Sequence, residues 1–370
     1  MSYIKLSKNY QHVFHFNGFG FLTNNILVRG YGDLDAMVTS IEDDCYYWLP
    51  MESIEKAHDR GVKLFSSVKN FSKYADQFEK ILNLIPRDFK RKILRTLVLK
   101  RQDVEDFFDK QSDYFCLYLC TEFFFVDKAY VLSKNNKIIS KNLCLNYKLK
   151  EKGRFVMNNV YFNGKDAYLN ILCKKLAKQF KVKVDDLLQY NIQEVSSLFD
   201  GKKVNSNEIR KRKLAKIISS NNRIIFSYCG SKIIKNIENL IDKNLNPKRL
   251  NDGVLKGTTV SPGKTTGRVK IIISDGTTFK LLSNEFRKMK KGDILVAETT
   301  SPELMQACAK AGAILANQGG LLSHAAVVSR EFGIPGIVGL KIATQVLKDG
   351  DLVEVDADKG IVKILNRYEK

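Results

Sequence analysis

Several motifs that mark well-known classes of protein are missing from this chain. None of its seven cysteines forms a C-x-x-C pair, which predicts reduced thiols and a cytoplasmic protein. Two closely spaced glycine pairs, Gly18 with Gly20 and Gly30 with Gly32, extend neither to G-x-G-x-x-G nor to a phosphate-binding loop with a lysine. The sequence therefore identifies no nucleotide-binding residue, and we expect no metal site and no firmly bound cofactor.

Long apolar runs are missing as well. Residues 1–10 contain no apolar stretch of the kind found in a signal sequence. The most apolar segment, residues 114–126, is interrupted by Glu122 and is too short to span a bilayer. We therefore expect a soluble protein without a membrane partner.

Positive charge, in contrast, is abundant. The chain has 61 lysine and arginine residues against 40 acidic ones, a formal net charge of +21. Residues 257–370 hold 16 basic and 12 acidic residues, so most of the excess lies upstream. Its densest stretches, 87–101 and 208–216, have leucine and isoleucine at helical spacing, which predicts two basic helices. Such a surface suits an anionic partner or substrate. Nucleic-acid binding is the less favoured alternative, because the whole chain is rich in lysine, asparagine and isoleucine.

Length and patterning predict how the chain divides. A chain of 370 residues with 44% hydrophobic content is expected to form two or three domains. Residues 1–80 mix glycine-punctuated strands with a helical pattern, and residues 81–245 are mainly helical. Proline and glycine then interrupt both patterns, which predicts a hinge at 246–257. In residues 258–370 strands alternate with helices, which predicts an α/β domain of layered sheets with helices on one side.

The most informative segment is residues 319–339, GGLLSHAAVVSREFGIPGIVG. Ser323 is a good N-cap for a helix that starts at His324, and the next glycine is placed to end it. At a helix N-terminus, unpaired N–H groups stabilise a dianionic phosphoryl group by about 0.3 to 1 kcal/mol and disfavour protonation of the ring. Because Ala325 and Ala326 are small, we expect a second protein surface to reach the imidazole. Such a histidine is suited to carry a phosphoryl group.

Residues 257–365 resemble the phosphohistidine or swivelling domain of the phosphoenolpyruvate-utilising enzymes, which include phosphoenolpyruvate synthase, pyruvate phosphate dikinase and rifampicin phosphotransferase. The resemblance rests on VSPGKTTGRV, on GDILVAETTSPEL with its T-S-P-E turn, on the histidine segment and on the closing GDLVEVDADKGIVKIL hairpin. It implies a layered β/β/α domain after a mainly helical α+β region. Two positions differ from the usual pattern, since Leu322 replaces a common threonine and Asn317 a common acidic residue.

The resemblance also implies roles for individual residues. His324 would accept the phosphoryl group, with Ser323 and Arg330 as its supporting neighbours. The residues that would form the surrounding loops are Gly319, Gly320, Thr300, Ser301 and Glu303.

The same resemblance implies partners. ATP and Mg²⁺ are expected at the active site of a separate ATP-grasp protein, because the N-terminal region leaves little room for a two-lobed ATP-grasp domain. We therefore expect a phosphoryl-carrier component of an ATP- or phosphoenolpyruvate-dependent phosphotransferase, whose phosphate acceptor the sequence does not identify. The alternative is a non-catalytic docking or regulatory module with a degenerate swivelling domain.

Overall fold

The computed structural model describes residues 10–17, 19–162, 166–221, 224–245, 254–273, 279–300 and 304–368. The chain divides into two compact units, with the boundary between Leu240 and Ile241. This boundary lies a few residues before the predicted hinge. Residues 246–253 of that hinge lie outside the described residues.

The first unit contains most of the helices. Its helices are α1 (Phe21–Gly30), α2 (Met51–Phe65), α3 (Val68–Asp88), α4 (Arg101–Leu119), α5 (Phe123–Ser133), α6 (Lys137–Val156), α7 (Tyr168–Phe180), α8 (Val184–Leu187), α9 (Ile192–Ser197), α10 (Ser206–Leu214) and α11 (Ile234–Leu245), the last of which continues past the boundary. Its strands are β1 (Tyr10–Asn17), β2 (Ala36–Ile41), β3 (Asp44–Pro50), β4 (Ala215–Asn221) and β5 (Ile224–Cys229).

These five strands form one antiparallel sheet in the order β1-β3-β2-β4-β5. β2 and β3 form a hairpin with a two-residue loop, and Glu42 in that loop has a left-handed backbone with φ 53°. β4 and β5 come from the region predicted to be mainly helical. The helix predicted for 208–216 ends at Leu214, because Ala215 and Lys216 already pair with β2.

The helix predicted for 87–101 is also wrong in its second half. α3 ends at Asp88, a π-helical turn occupies Phe89–Leu94, and residues 95–100 form no helix before α4 begins. The ammonium group of Lys175 accounts for the difference, because it donates to three backbone carbonyls of this stretch. These carbonyl oxygens accept hydrogen bonds from the lysine, where in a helix they would accept them from backbone N–H groups.

A buried lysine lies in the middle of the sheet. Lys216 is fully buried, and its Nζ donates to the carbonyl oxygen of Glu42 at 2.8 Å. Among the described residues no carboxylate forms an ion pair with it. Burial therefore lowers the pKa of this ammonium group below its usual value.

This lysine makes the stability of the first unit depend on pH. Its pKa is lower in the folded chain, so the unfolded chain binds more protons between that lowered value and about 10.5, and stability rises with pH across this window. We expect Lys216→Met to stabilise the protein by about 1 to 2 kcal/mol at neutral pH. The gain should shrink as the pH approaches the pKa of lysine in the unfolded chain, about 10.5. Urea unfolding at several pH values tests this, with exposed Lys202→Met as the control. A gain that does not change with pH would contradict it.

The second unit has a mixed α/β structure, as predicted. Its strands are β6 (Val254–Lys256), β7 (Thr258–Ser261), β8 (Lys264–Ile271), β9 (Ile294–Ala297), β10 (Ala313–Ala316), β11 (Gly336–Val338), β12 (Leu352–Asp356) and β13 (Ile361–Asn366). Its helices are α12 (Phe279–Lys288), α13 (Met305–Cys308), α14 (His324–Glu331) and α15 (Ala343–Val346).

The eight strands are hydrogen-bonded in the order β6-β13-β12-β8-β9-β10-β11-β7. β8, β9, β10 and β11 run parallel, and the other neighbours are antiparallel. Three of the parallel strands, β9, β10 and β11, are short and apolar, and all three are buried along their length. Because β8, β9, β10 and β11 run parallel, their carboxyl ends lie at the same edge of the sheet.

Candidate functional site

The candidate site lies at the carboxyl ends of the parallel strands β9 and β10. Thr300 is the third residue after β9, and Asn317 is the first residue after β10. The chain then passes through Gly319 and Gly320 into α14, whose first residue is His324. This edge brings together residues that are up to 24 positions apart in the sequence.

The start of α14 is built as predicted. Ser323 is the N-cap, and its Oγ accepts a hydrogen bond from the N–H of Ala326 at 3.3 Å. The N–H of Ser323 donates to the carbonyl oxygen of Gly320 at 3.0 Å. The predicted end is confirmed too, since the helix stops at Glu331 and Gly333 has a left-handed backbone with φ 64°.

Gly319 is required for this arrangement. Its φ of 117° is in the region that favours glycine, and a Cβ built on it would lie 2.9 Å from the Cβ of Ser323 and 3.0 Å from its Oγ. Any larger residue would therefore move the side chain that caps α14.

The imidazole of His324 has a hydrogen-bond partner that the sequence did not identify. Its Nδ1 lies 3.1 Å from Oγ1 of Thr300, and Thr300 is itself buried. This contact fixes the plane of the ring. In the tautomer with hydrogen on Nδ1, the ring donates to Thr300 and Nε2 carries the lone pair.

Access to the ring is narrower than predicted. His324 is 9% exposed, and Ala325 and Ala326 are buried in the hydrophobic core rather than left open to a second surface. The two alanines follow the histidine directly on α14, and this part of the helix packs on the parallel strands.

A polar network lies beside the ring-bearing loop. The side-chain amide of Asn317 donates to Oε2 of Glu298 at 2.5 Å and to Oγ1 of Thr344 at 2.6 Å, and Gln318 donates to the other oxygen of Glu298 at 2.9 Å. The N–H of Thr344 donates back to Asn317 at 3.2 Å. Neither Glu298 nor Thr344 was predicted. The position of Glu298 directly after β9 is the signal that would have indicated it.

Arg330 supports the loop from the far end of α14. Its guanidinium donates to the carbonyl oxygens of Leu321 at 2.9 Å and Val260 at 3.2 Å. These contacts tie the segment before the helix to β7. Two further predicted loop residues, Ser301 and Glu303, lie outside the described residues.

Other kinds of site are not found in the described part of the chain. No group of three or more histidine, cysteine or carboxylate side chains there is placed to hold a metal ion. None of the helices in the same residues combines the length and the apolar character needed to cross a membrane.

Comparison with known proteins finds a family match over the part of the chain that contains His324. The family model described as "PEP-utilising enzyme, mobile domain" matches residues 289–360, which contain the ends of β9 and β10 and all of α14. The second unit contains a PEP-utilising mobile domain. It is homologous to parts of phosphoenolpyruvate synthases and of a phosphotransferase.

Three relatives of the mobile domain illustrate the match. A probable phosphoenolpyruvate synthase of Archaeoglobus fulgidus is 48% identical over 109 residues, which are 30% of this chain and 13% of that protein. The phosphoenolpyruvate synthase of Pyrococcus furiosus is 46% identical over 109 residues, 30% and 12% of the two chains. An uncharacterized phosphotransferase of Bacillus subtilis is 34% identical over 134 residues, 36% and 15% of the two chains. The chain thus spans only about an eighth of the length of the synthases it matches.

Proposed function

We propose that this chain carries a phosphoryl group on His324 between a donor and an acceptor, as a component of an ATP- or phosphoenolpyruvate-dependent phosphotransferase. One observation carries the proposal. In a mobile domain of this family, the imidazole lies at the capped N-terminus of α14 and is oriented by a hydrogen bond from Nδ1 to Thr300.

The chemistry needs two displacements at phosphorus, in which the same ring nitrogen is first the nucleophile and then the leaving group. With the Nδ1 proton shared with Thr300, Nε2 attacks the phosphorus of the donor, an N–P bond forms, and the donor's bridging oxygen leaves with its electron pair. In the second step an acceptor oxygen attacks the same phosphorus, the N–P bond breaks, and the imidazole is regenerated. The N-terminus of α14 stabilises the dianion in between by about 0.3 to 1 kcal/mol, and by up to about 2 kcal/mol at a partly buried site.

The donor site would belong to a partner. We propose a separate ATP-grasp protein that binds ATP together with Mg²⁺, which neutralises charge on the transferred group. The acceptor is proposed to bind elsewhere, on a surface that the basic first unit makes attractive to anions. We also propose that the second unit has the layered β/β/α arrangement that the resemblance implies, and that it pivots about residues 246–257 to reach the two sites.

Phosphorylation of the full-length chain tests the role of His324. The protein is incubated with Mg²⁺, ATP and an ATP-grasp partner, and separately with phosphoramidate, which phosphorylates imidazoles without an enzyme. With ATP and the partner, intact mass and acid lability should show one phosphohistidine in the wild type and none in His324→Gln. With phosphoramidate, which also reacts with other accessible imidazoles, peptide mapping should show His324 among the phosphorylated residues of the wild type. The matched control is His58→Gln, a histidine of the first unit, which should behave as the wild type. Thr300→Val should slow the reaction roughly tenfold, because the ring loses its orienting partner.

Two outcomes would overturn the proposal. The first is a phosphoryl group that appears on His324→Gln as fully as on the wild type. The second is that His324→Gln retains every activity and every complex of the native chain. A docking module with a degenerate domain would behave in this way.

A further inference from the structure

The end of the π-helical turn Phe89–Leu94 and the segment after it expose large aliphatic side chains. Leu97 is 98% exposed, Val98 is 67% exposed and Leu94 is 48% exposed. We refer to residues 94–100 as the Leu97 loop. A single exposed leucine is ordinary on a protein surface, but three aliphatic residues on one short loop are a concentration that often marks a binding surface.

The Leu97 loop is held firmly in place from α7. Nζ of Lys175 donates to the carbonyl oxygens of Ile93 at 2.6 Å, Leu94 at 2.9 Å and Thr96 at 2.6 Å. The side chain of Gln179 makes two hydrogen bonds with the backbone of Leu99, at 2.8 and 3.0 Å. Leu99 itself is buried. The exposed side chains are therefore presented on a fixed backbone, which lowers the entropy lost when they bind.

Basic residues flank the aliphatic ones. Residues 89–101 contain six lysine or arginine residues and no acidic residue. Three of the six form ion pairs with aspartates. The other three, Lys90, Arg95 and Lys100, are exposed and form no ion pair among the described residues. The loop thus combines apolar side chains with uncompensated positive charge.

We propose that the Leu97 loop inserts into the headgroup region of an anionic lipid bilayer. A lipid surface accepts projecting aliphatic side chains without a preformed socket, and its negative charge complements the three cations. A stable protein interface buries about 800 Å² on each partner, which is more than three aliphatic side chains provide. The proposal departs from the expectation of a protein without a membrane partner, which rested on the lack of a long apolar run. Binding at the membrane surface requires no spanning helix, and it is independent of the role of His324.

Vesicle binding by the full-length chain tests the apolar part of this surface. The protein should co-sediment with vesicles of equal parts phosphatidylcholine and phosphatidylglycerol, and not with phosphatidylcholine alone. Leu97→Ser combined with Val98→Ser should weaken binding at least roughly tenfold, because two aliphatic side chains no longer leave water. The control is Val131→Ser combined with Leu132→Ser on α5, which are 58% and 46% exposed and should leave the affinity unchanged.

The charged part is tested in the same assay. Lys90→Gln, Arg95→Gln and Lys100→Gln should each weaken binding roughly fivefold, and added salt should weaken the wild type further. The proposal is overturned if the wild type does not bind phosphatidylglycerol vesicles at low salt. It is overturned as well if the variant with Leu97→Ser and Val98→Ser binds them as tightly as the wild type. It is also overturned if the control pair loses as much affinity. If vesicles are not bound but the aliphatic variant loses a protein partner, the surface belongs to that partner instead.

Discussion

Gly61→Ala should destabilise the first unit by about 3 kcal/mol or more, at the upper end of what overpacking costs. Gly61 lies on α2 where this helix crosses α5, and a Cβ there would be 1.7 Å from the carbonyl oxygen of Phe125 and 2.8 Å from its carbonyl carbon. The obstacle is backbone, so no side chain can rotate away and the helices must separate. Alanine is a better helix former than glycine by about 1 kcal/mol, and we expect the clash to outweigh this gain.

Chemical denaturation monitored by circular dichroism measures the change. Gly201→Ala is a suitable control, because this glycine has a φ of 74° but nothing within 4 Å of its Cβ position. Its substitution should cost about 1 kcal/mol, from backbone strain alone. A Gly61 variant as stable as the wild type would mean that helix propensity decides the outcome and that the two helices are not in close contact.

Gly319→Ala should abolish most phosphorylation of His324 while leaving the first unit folded. The substitution strains a backbone with φ 117° and pushes on the side chain of Ser323, which caps the helix that carries the ring. Loss of an N-cap costs about 1 kcal/mol, and the larger effect should come from moving the imidazole, since a displacement of about 1 Å can slow a reaction roughly a hundredfold.

The readout is the rate at which ATP and the partner form phosphohistidine at residue 324, measured beside the stability of each variant. Gly292→Ala is the matched control in the same unit, with φ 91° and nothing within 4 Å of its Cβ position. Both variants carry backbone strain, and only the one at position 319 disturbs Ser323. Equal losses of rate in the two would show that strain, and not the position of the ring, governs the reaction.

The parts of the site that could be predicted from the sequence are local. Ser323 and Gly333 mark the two ends of α14 because caps act within one turn of a helix. The bonding of Nδ1 to Thr300 could not be derived, because it joins residues 24 positions apart that meet only when β9 and β10 pair. Burial of Ala325 was missed for a related reason, since a small side chain gives no indication of which way a helix faces.

The fold was predictable to a similar degree. The apolar runs of the second unit are strands as predicted, because short buried strands are indicated by their own composition. The stretch 95–100 has the periodicity of a helix and is not one, because Lys175, about eighty residues away, bonds its carbonyls. β4 was missed because it starts directly after α10, and its strand character comes from pairing with β2.

The packing of α14 on β11 restricts how the imidazole can travel. A Cβ on Gly336 would lie 2.5 Å from Oγ of Ser329 and 2.7 Å from its Cβ, so strand and helix touch with no space for even a methyl group. Oγ of Ser329 is buried and has no hydrogen-bond partner among the described residues, so the contact between helix and strand here is steric. This close packing opposes sliding of α14 on its sheet, so a movement of His324 between two proteins would carry the strands with it.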